Sequence, residues 1–192
     1  MISNKNGLLT AALIAPALAF AAPACAQTNA SAATTSNVAA PITEAEVMAA
    51  QQAWGEGIVT IGAAYTAGED YVQAATDHIN EFYAYGAAPV LFKPTLAAEE
   101  QFRGDFVGAL SYFVGGSISE DGGFAIAPYT NVRWENEATF IDSDSAMAMG
   151  NYFFTRTNGE DVKVEYSFGY MRGEDGELKI VLHHSSIPFS AS

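Results

Sequence analysis

Residues 162–171 read VKVEYSFGYM, and this stretch decides the fold of the 192-residue chain. Its apolar side chains alternate with mostly polar or small ones, which is the period of a β-strand with one buried face. Asn158-Gly159 precedes the strand and Asp175-Gly176 follows it. Both pairs are typical of hairpin turns, because Asn, Asp and Gly tolerate positive φ. The stretch therefore predicts a strand of an antiparallel sheet.

The second half of the chain repeats this period, whereas the first half does not. We expect a meander of four strands, over residues 131–141, 146–157, 162–172 and 178–186. Before residue 123 the apolar residues recur at helical spacings of three, four and seven. Helices followed by an antiparallel meander make the α+β class, and a curved sheet wrapped on a helix layer leaves a cavity at one end.

Three helices are predicted in the first half. Thr43 and Glu46 form a capping box, so the first helix begins there and ends at Gly68. Its apolar stripe contains Val47, Trp54, Ile58, Ile61 and Tyr65. A second helix is expected from Tyr71 to Gly86, and a shorter third one from Phe102 to Phe113, before Gly115-Gly116.

Composition and charge restrict the class of protein. The chain is 49% hydrophobic and 16% charged, which favours one compact domain over a disordered chain. Its formal net charge of -14 repels phosphate backbones and anionic lipid surfaces, so nucleic-acid binding is excluded.

The N-terminal segment predicts export. Residues 1–26 combine Lys5, an apolar run and the small-x-small sequence Ala24-Cys25-Ala26, which are the parts of a cleaved secretory signal. A core helix or an uncleaved anchor is the alternative, but the run lacks a polar face. Residues 27–41 read as a flexible tether and residues 42–192 as one domain. We expect a periplasmic or secreted protein with no membrane span after cleavage.

Histidines give little support for a metal site. His183 and His184 are adjacent on a predicted strand and point to opposite faces, so they cannot easily bind one ion together. A site completed by carboxylates or by a partner chain stays open. His78 lies in the second predicted helix near Asp77 and Glu81, and we interpret it as a solvated surface residue.

The alternation of side chains along a strand divides the terminal motif, residues 183–186, into two pairs on opposite faces. Regular alternation puts His184 and Ser186 on the more apolar face, with Ile180, and leaves His183 and Ser185 for an outer surface or subunit interface. Alternatively, such residues only satisfy backbone groups. Thr95 and Tyr112 are further hydroxyl groups among apolar residues, and each can donate to a small oxyanion or merely close a loop. Glu120-Asp121 is interpreted as part of an exposed turn.

Six segments in order resemble the iota-class carbonic anhydrases. They are residues 90–95 (VLFKPT), 108–116 (GALSYFVGG), 120–126 (EDGGFAI), 147–152 (MAMGNY), 163–170 (KVEYSFGY) and 180–186 (IVLHHSS). The resemblance implies the cone-shaped SnoaL-like fold related to nuclear transport factor 2, with N-terminal helices packed on a curved antiparallel sheet. One departure is Leu182, where the family often has a histidine, and it weakens a histidine metal cluster further.

The resemblance also implies reversible hydration of carbon dioxide to bicarbonate. Some members of the family work without metal and others with zinc or manganese. In the metal-free case a threonine, a tyrosine and a serine hold bicarbonate, which correspond to Thr95, Tyr112 and either Ser185 or Ser186. Parity favours Ser186, but a bulge at the strand end would reverse that choice. His184 is the first candidate for a proton acceptor, before His183.

Two other functions are compatible with the sequence. The first is a non-catalytic association or small-ligand-binding module on the same fold, since a fold alone fixes no activity. The second is a SnoaL-like isomerase or hydrolase for a larger ligand, for which no convincing acid–base pair is present. A homodimer is expected, because Tyr166, Phe168 and Tyr170 supply more apolar area than one sheet face needs.

Overall fold

The computed structural model describes residues 40–191. The predicted signal, residues 1–26, and most of the predicted tether therefore lie outside the described residues. Ala40 and Pro41 are exposed, and burial begins at Ile42, which is 3% exposed.

The first helix, α1, spans Glu44–Ala67 and confirms the predicted capping box. The Thr43 hydroxyl accepts a hydrogen bond from the backbone N–H of Glu46, whose carboxylate accepts the N–H of Thr43. Gly68 ends the helix in the left-handed region, with φ of 72°. Of the predicted stripe, only Tyr65 is exposed, and it packs edge-on against Tyr71.

The other two helices are shorter than predicted. The second, α2, spans Tyr71–Phe82, with Asp70 as its N-cap. The third, α3, spans Phe106–Val114 and begins four residues later than the periodicity suggested. Asp105 caps α3 by accepting a hydrogen bond from the N–H of Gly108, which leaves Phe102 outside the helix and 73% exposed.

The sheet has five strands in the order β1-β5-β4-β3-β2. The strands are β1 (Leu91–Lys93), β2 (Tyr129–Ile141), β3 (Ser145–Arg156), β4 (Asp161–Arg172) and β5 (Leu178–Ser186). Strands β2 to β5 form the predicted antiparallel meander, with bounds within two residues of those expected. The purely antiparallel sheet is wrong in one respect, because β1 adds a parallel edge strand beside β5.

A β-bulge in β5 changes which side chains face the core. Gly169 pairs with Leu182 and Tyr170 pairs with Ile180, so Val181 has no partner on β4. An unpaired residue shifts the alternation by one position. Ile180 is therefore buried, and so are His183 and Ser185 beyond the bulge, whereas His184 is exposed.

The core lies between the inner face of the sheet and the helices. Trp54 of α1 is 1% exposed and its ring contacts those of Tyr152, Phe168 and His183 on three different strands. Tyr166, Phe168 and Tyr170 are all buried on this inner face. The predicted surplus of apolar area from these three residues is therefore wrong, since the core itself uses them.

None of the helices within residues 40–191 is long and apolar enough to cross a membrane.

Candidate active site

A small cavity lies at the end of the sheet where β3 and β5 finish, with a volume of about 60 Å³. The lining residues that carry polar side-chain groups are Thr95, Tyr112, Tyr129, Tyr152, His183 and Ser185, and the remaining wall is apolar. One water molecule needs ~10–15 Å³ by a comparable measure. The cavity therefore holds a few molecules of that size, whereas drug-sized ligands occupy clefts of roughly 300 Å³ or more.

The parallel pair of strands brings Thr95 to Ser185. Lys93 of β1 is in register with His184 of β5, and both strands run in the same direction. The residues that follow therefore stay adjacent, and Thr95 Oγ1 donates a hydrogen bond of 2.8 Å to Ser185 Oγ. Because Ser185 already accepts this bond, its own proton is available to another acceptor in the cavity.

Tyr112 comes from α3 and brings another hydroxyl group to the cavity. Its ring is held between Phe92, which it meets edge-on, and Phe124, on which it stacks. Its Oη accepts a bond of 3.4 Å from the backbone N–H of Leu96, so the phenolic proton is free to be donated. Burial raises the pKa of Tyr112, and the hydroxyl therefore keeps its proton at neutral pH.

His183 lies behind these hydroxyl groups and is 3% exposed. Its Nδ1 lies 2.8 Å from Tyr83 Oη and its Nε2 lies 3.4 Å from Tyr152 Oη. The ring also stacks on Phe92. Burial holds the pKa of His183 well below its usual value, with smaller contributions from His184 and His78, so the imidazole is neutral.

The structure corrects the parity prediction for the terminal motif. His184 and Ser186 lie on the outer face of β5, away from the cavity, and the Ser186 hydroxyl donates to Glu165 Oε2 at 3.0 Å. His183 and Ser185 line the cavity instead. The physical reason is the bulge at Val181, which reverses the alternation before the motif is reached. The structure thus brings together Thr95, Tyr112, Ser185 and His183 and leaves out His184 and Ser186.

His78 is a second correction, because it is buried and not a surface residue. It is 4% exposed and packs against Trp54, Phe82 and Phe113. Gly57 makes this possible, since a Cβ there would lie 2.1 Å from His78 Nδ1. Burial lowers the pKa of His78 to about 3. Nearby acidic residues in the sequence had suggested solvent, but the helix turns the ring inward.

The Glu120-Asp121 pair is also more than an exposed turn. Arg103 is 1% exposed, and its Nη2 donates to Asp121 Oδ1 at 2.8 Å. Glu120 accepts the backbone N–H groups of residues 98, 99 and 100, which lower its pKa to about 2, that of Glu99 contributing most. Together these contacts fix the loop that carries Thr95.

Sequence reasoning missed Tyr83 and Tyr152, the two hydroxyl groups that flank His183. Both occupy positions that the periodicity assigns to the core. A buried tyrosine and a buried phenylalanine leave the same pattern in a sequence, so only the resemblance segment 147–152 pointed toward one of them.

Within the described part of the chain, no three His, Cys, Asp or Glu side chains are grouped so that they could hold a metal ion. The cavity instead offers neutral hydroxyl donors on an apolar wall. Such an arrangement can stabilise negative charge that develops on a small molecule's oxygen atoms.

Comparisons with known proteins agree with this chemistry. The family model described as metal-independent carbonic anhydrase matches residues 45–187. A metal-independent carbonic anhydrase from Nostoc sp. (strain PCC 7120) is 42% identical over 153 residues, which are 77% of this chain and 75% of that protein.

Solved structures extend the comparison. The iota-carbonic anhydrase of a cyanobacterium, crystallised with bicarbonate, has a TM-score of 0.76 and 39% identity over 79% of this chain and 95% of that chain. A nuclear transport factor 2-like protein from Salmonella enterica has a TM-score of 0.41 at 13% identity, over 76% of this chain and 96% of that one. The extent of the family match and the identity to the Nostoc protein show that this chain belongs to the metal-independent carbonic anhydrases.

Proposed function

We propose that the cavity lined by Thr95, Tyr112 and Ser185 is where this chain interconverts carbon dioxide and bicarbonate. The observation that carries the proposal is the convergence of three hydroxyl groups, two of them 2.8 Å apart, on an apolar cavity of about 60 Å³. The bicarbonate in the related cyanobacterial structure supports a ligand of this kind. A larger substrate, as expected for an isomerase or hydrolase, does not fit this volume.

The walls and the hydroxyl groups have different tasks. Carbon dioxide has no net dipole, so the apolar wall can accept it without the loss of strong hydrogen bonds to water. When water adds to the carbon, negative charge develops on the oxygen atoms. The free protons of Tyr112 and Ser185 stabilise that charge more in the transition state than in the substrate, which is the requirement for catalysis.

The attacking water must also lose a proton. We propose that its proton passes to Ser185 Oγ while Ser185 gives its own proton to an oxygen of carbon dioxide. One C–O bond forms, one C=O π bond breaks, and the product is carbonic acid, which ionises on release. His183 is neutral and its two ring nitrogens face tyrosine hydroxyls, so this route does not require it to take up the proton.

The proposal is tested by stopped-flow measurement of carbon dioxide hydration with metal-analysed protein. We expect exhaustively chelated wild type to keep its rate, and Thr95→Val and Tyr112→Phe to lose about 10²-fold or more in kcat. Both changes nearly preserve side-chain volume, so circular dichroism should show an intact fold. Activity that disappears on chelation and returns only with zinc would overturn the proposal.

We also propose that the outer face of the sheet pairs with a second copy of the chain. Met147, Met149 and Leu91 are each more than half exposed there, and Leu182 lies beside Leu91. A self-complementary apolar face is typical of an isologous homodimer. Light scattering should give twice the chain mass, and Met149→Glu should give the monomer. A wild-type monomer at micromolar concentration would contradict this.

Finally, we propose that the chain acts outside the cytoplasm after cleavage of residues 1–26. The support is the arrangement of Lys5, the apolar run and Ala24-Cys25-Ala26. The mass of the protein isolated from its native host should correspond to a mature chain that begins at Gln27. A cytosolic protein that retains residues 1–26 would contradict it.

A further inference from the structure

Tyr152 supplies a further hydroxyl group in the cavity, and a continuous set of hydrogen bonds links it to the centre of the core. Trp54 Nε1 donates to Tyr83 Oη at 3.1 Å, and Tyr83 Oη lies 2.8 Å from His183 Nδ1. His183 Nε2 lies 3.4 Å from Tyr152 Oη. All four side chains are 3% exposed or less, so solvent does not compete for these bonds.

The indole of Trp54 determines the direction of this set. An indole N–H can only donate, so Tyr83 Oη must accept there. The phenolic proton of Tyr83 then has one described partner, His183 Nδ1. If Nδ1 carried the proton instead, the buried hydroxyl of Tyr83 would have no acceptor, which proteins avoid. His183 is therefore protonated at Nε2 and donates to Tyr152 Oη.

Tyr152 receives this bond and has its own proton left to donate. Tyr152 lines the same cavity as Ser185 and Thr95. Burial raises the pKa of Tyr152, so the hydroxyl stays protonated. Each bond in the set points toward the cavity, and the last proton in it is the one that can reach a bound molecule.

We propose that Tyr152 is a catalytic residue that donates a hydrogen bond, and not its proton, to an oxygen of the substrate, and that Trp54, Tyr83 and His183 are positioning residues that keep this donor aimed into the cavity. The inference rests on the function proposed above, since it assigns a donor to that reaction. It also gives His183 a different part from the proton acceptor expected from the sequence.

Two variants test the two halves of the proposal. Tyr152→Phe should lower kcat about 10²-fold, the effect of removing one prearranged donor. Tyr83→Phe leaves Tyr152 in place, but the direction of the Tyr152 O–H bond is no longer fixed through His183. We expect kcat to fall about tenfold with little change in KM. Tyr85→Phe is the matched control. Its ring stacks on Tyr83, but its hydroxyl donates to the carbonyl of Arg103, so its kcat should equal that of wild type.

Nitrogen-15 NMR of the imidazoles separates positioning from general stability. Wild type should show His183 protonated at Nε2, with His78 and His184 as the other two histidine signals. In Tyr83→Phe, Tyr152 can turn its proton toward Nε2, so a share of the Nδ1-protonated form should appear. A variant that only loosened the fold would not move this equilibrium.

The outcomes distinguish this inference from the proposed function. It is overturned if wild-type His183 is protonated at Nδ1, or if Tyr83→Phe keeps both the wild-type tautomer and kcat. It is also overturned if Tyr152→Phe is fully active while Thr95→Val is not, in which case the proposed function stands. If Thr95→Val and Tyr112→Phe are fully active, the proposed function itself fails.

Discussion

His183 and Ser185 lie on the inner face of β5, and His184 and Ser186 lie on its outer face. The two pairs have the same residue types and are one position apart. On the inside, Ser185 accepts a bond from Thr95 in a cavity. On the outside, Ser186 donates to Glu165, a group that water can replace. The surroundings of these residues, and not their chemical type, therefore decide which pair can serve the reaction.

The serines offer the largest expected difference between the two faces. Ser185→Ala should lower kcat for carbon dioxide hydration about 10²- to 10³-fold, because it removes a prearranged donor and the proposed path for the proton. Ser186→Ala should stay within about twofold of wild type, since a surface hydrogen bond contributes little to the reaction. Stopped-flow assays of both proteins check this. Equal losses in the two variants would contradict the assignment of faces.

Deletion of Val181 tests whether the bulge alone sets which side chains of β5 face the core. Val181 has no partner on β4, so its removal turns β5 into a regular strand and still leaves His183 and Ser185 inside. We expect activity within about tenfold of wild type and a free energy of unfolding lower by about 1–3 kcal/mol, from lost packing. Urea titration and the hydration assay measure these quantities. Complete loss of activity in a folded variant would show that the motif had turned outward.

The smallest expected effect concerns the pH dependence of stability. Both His78 and His183 have lowered pKa values because of burial, whereas the unfolded chain binds protons near pH 6.5. The free energy of unfolding therefore does not depend on these two histidines above that pH. Below it, the free energy of unfolding falls by about 1.4 kcal/mol per pH unit for each buried histidine, because only the unfolded chain takes up the protons. His78→Leu should remove one such contribution between pH 6.5 and 5, as measured by urea unfolding.

Ile79→Val is the control for that slope. Ile79 is fully buried next to His78 in the same helix and has no titratable group, so the variant should lose about 1 kcal/mol of stability at every pH and keep the wild-type slope. A slope that changed with Ile79 and not with His78 would contradict the assignment of the slope to His78.

Most of the fold could be predicted because it depends on local patterns. The Thr43 capping box, the helix-ending Gly68 and the hairpin turns each act through neighbouring residues, and the structure confirms them. The parallel strand β1 could not be predicted, since three residues carry too little periodicity. Its pairing with β5 depends on tertiary packing.

The candidate site was predictable in its residue types but not in its geometry. Thr95 and Tyr112 were expected from the resemblance, and both line the cavity. The side of β5 could not be predicted, because a bulge of one residue leaves no reliable mark in the sequence and yet reverses every position beyond it. Tyr83 and Tyr152 could not be predicted as site residues, because a tyrosine in a periodic apolar pattern looks the same as a phenylalanine that only packs in the core.

A crystal structure of this chain with bound bicarbonate would show directly which face of β5 holds the reacting molecule. We expect bicarbonate in the cavity at the end of β3 and β5, with its oxygen atoms within hydrogen-bond distance of the hydroxyl groups of Thr95, Tyr112 and Ser185. Bicarbonate bound beside His184 and Ser186 on the outer face, with the cavity occupied only by water, would contradict it.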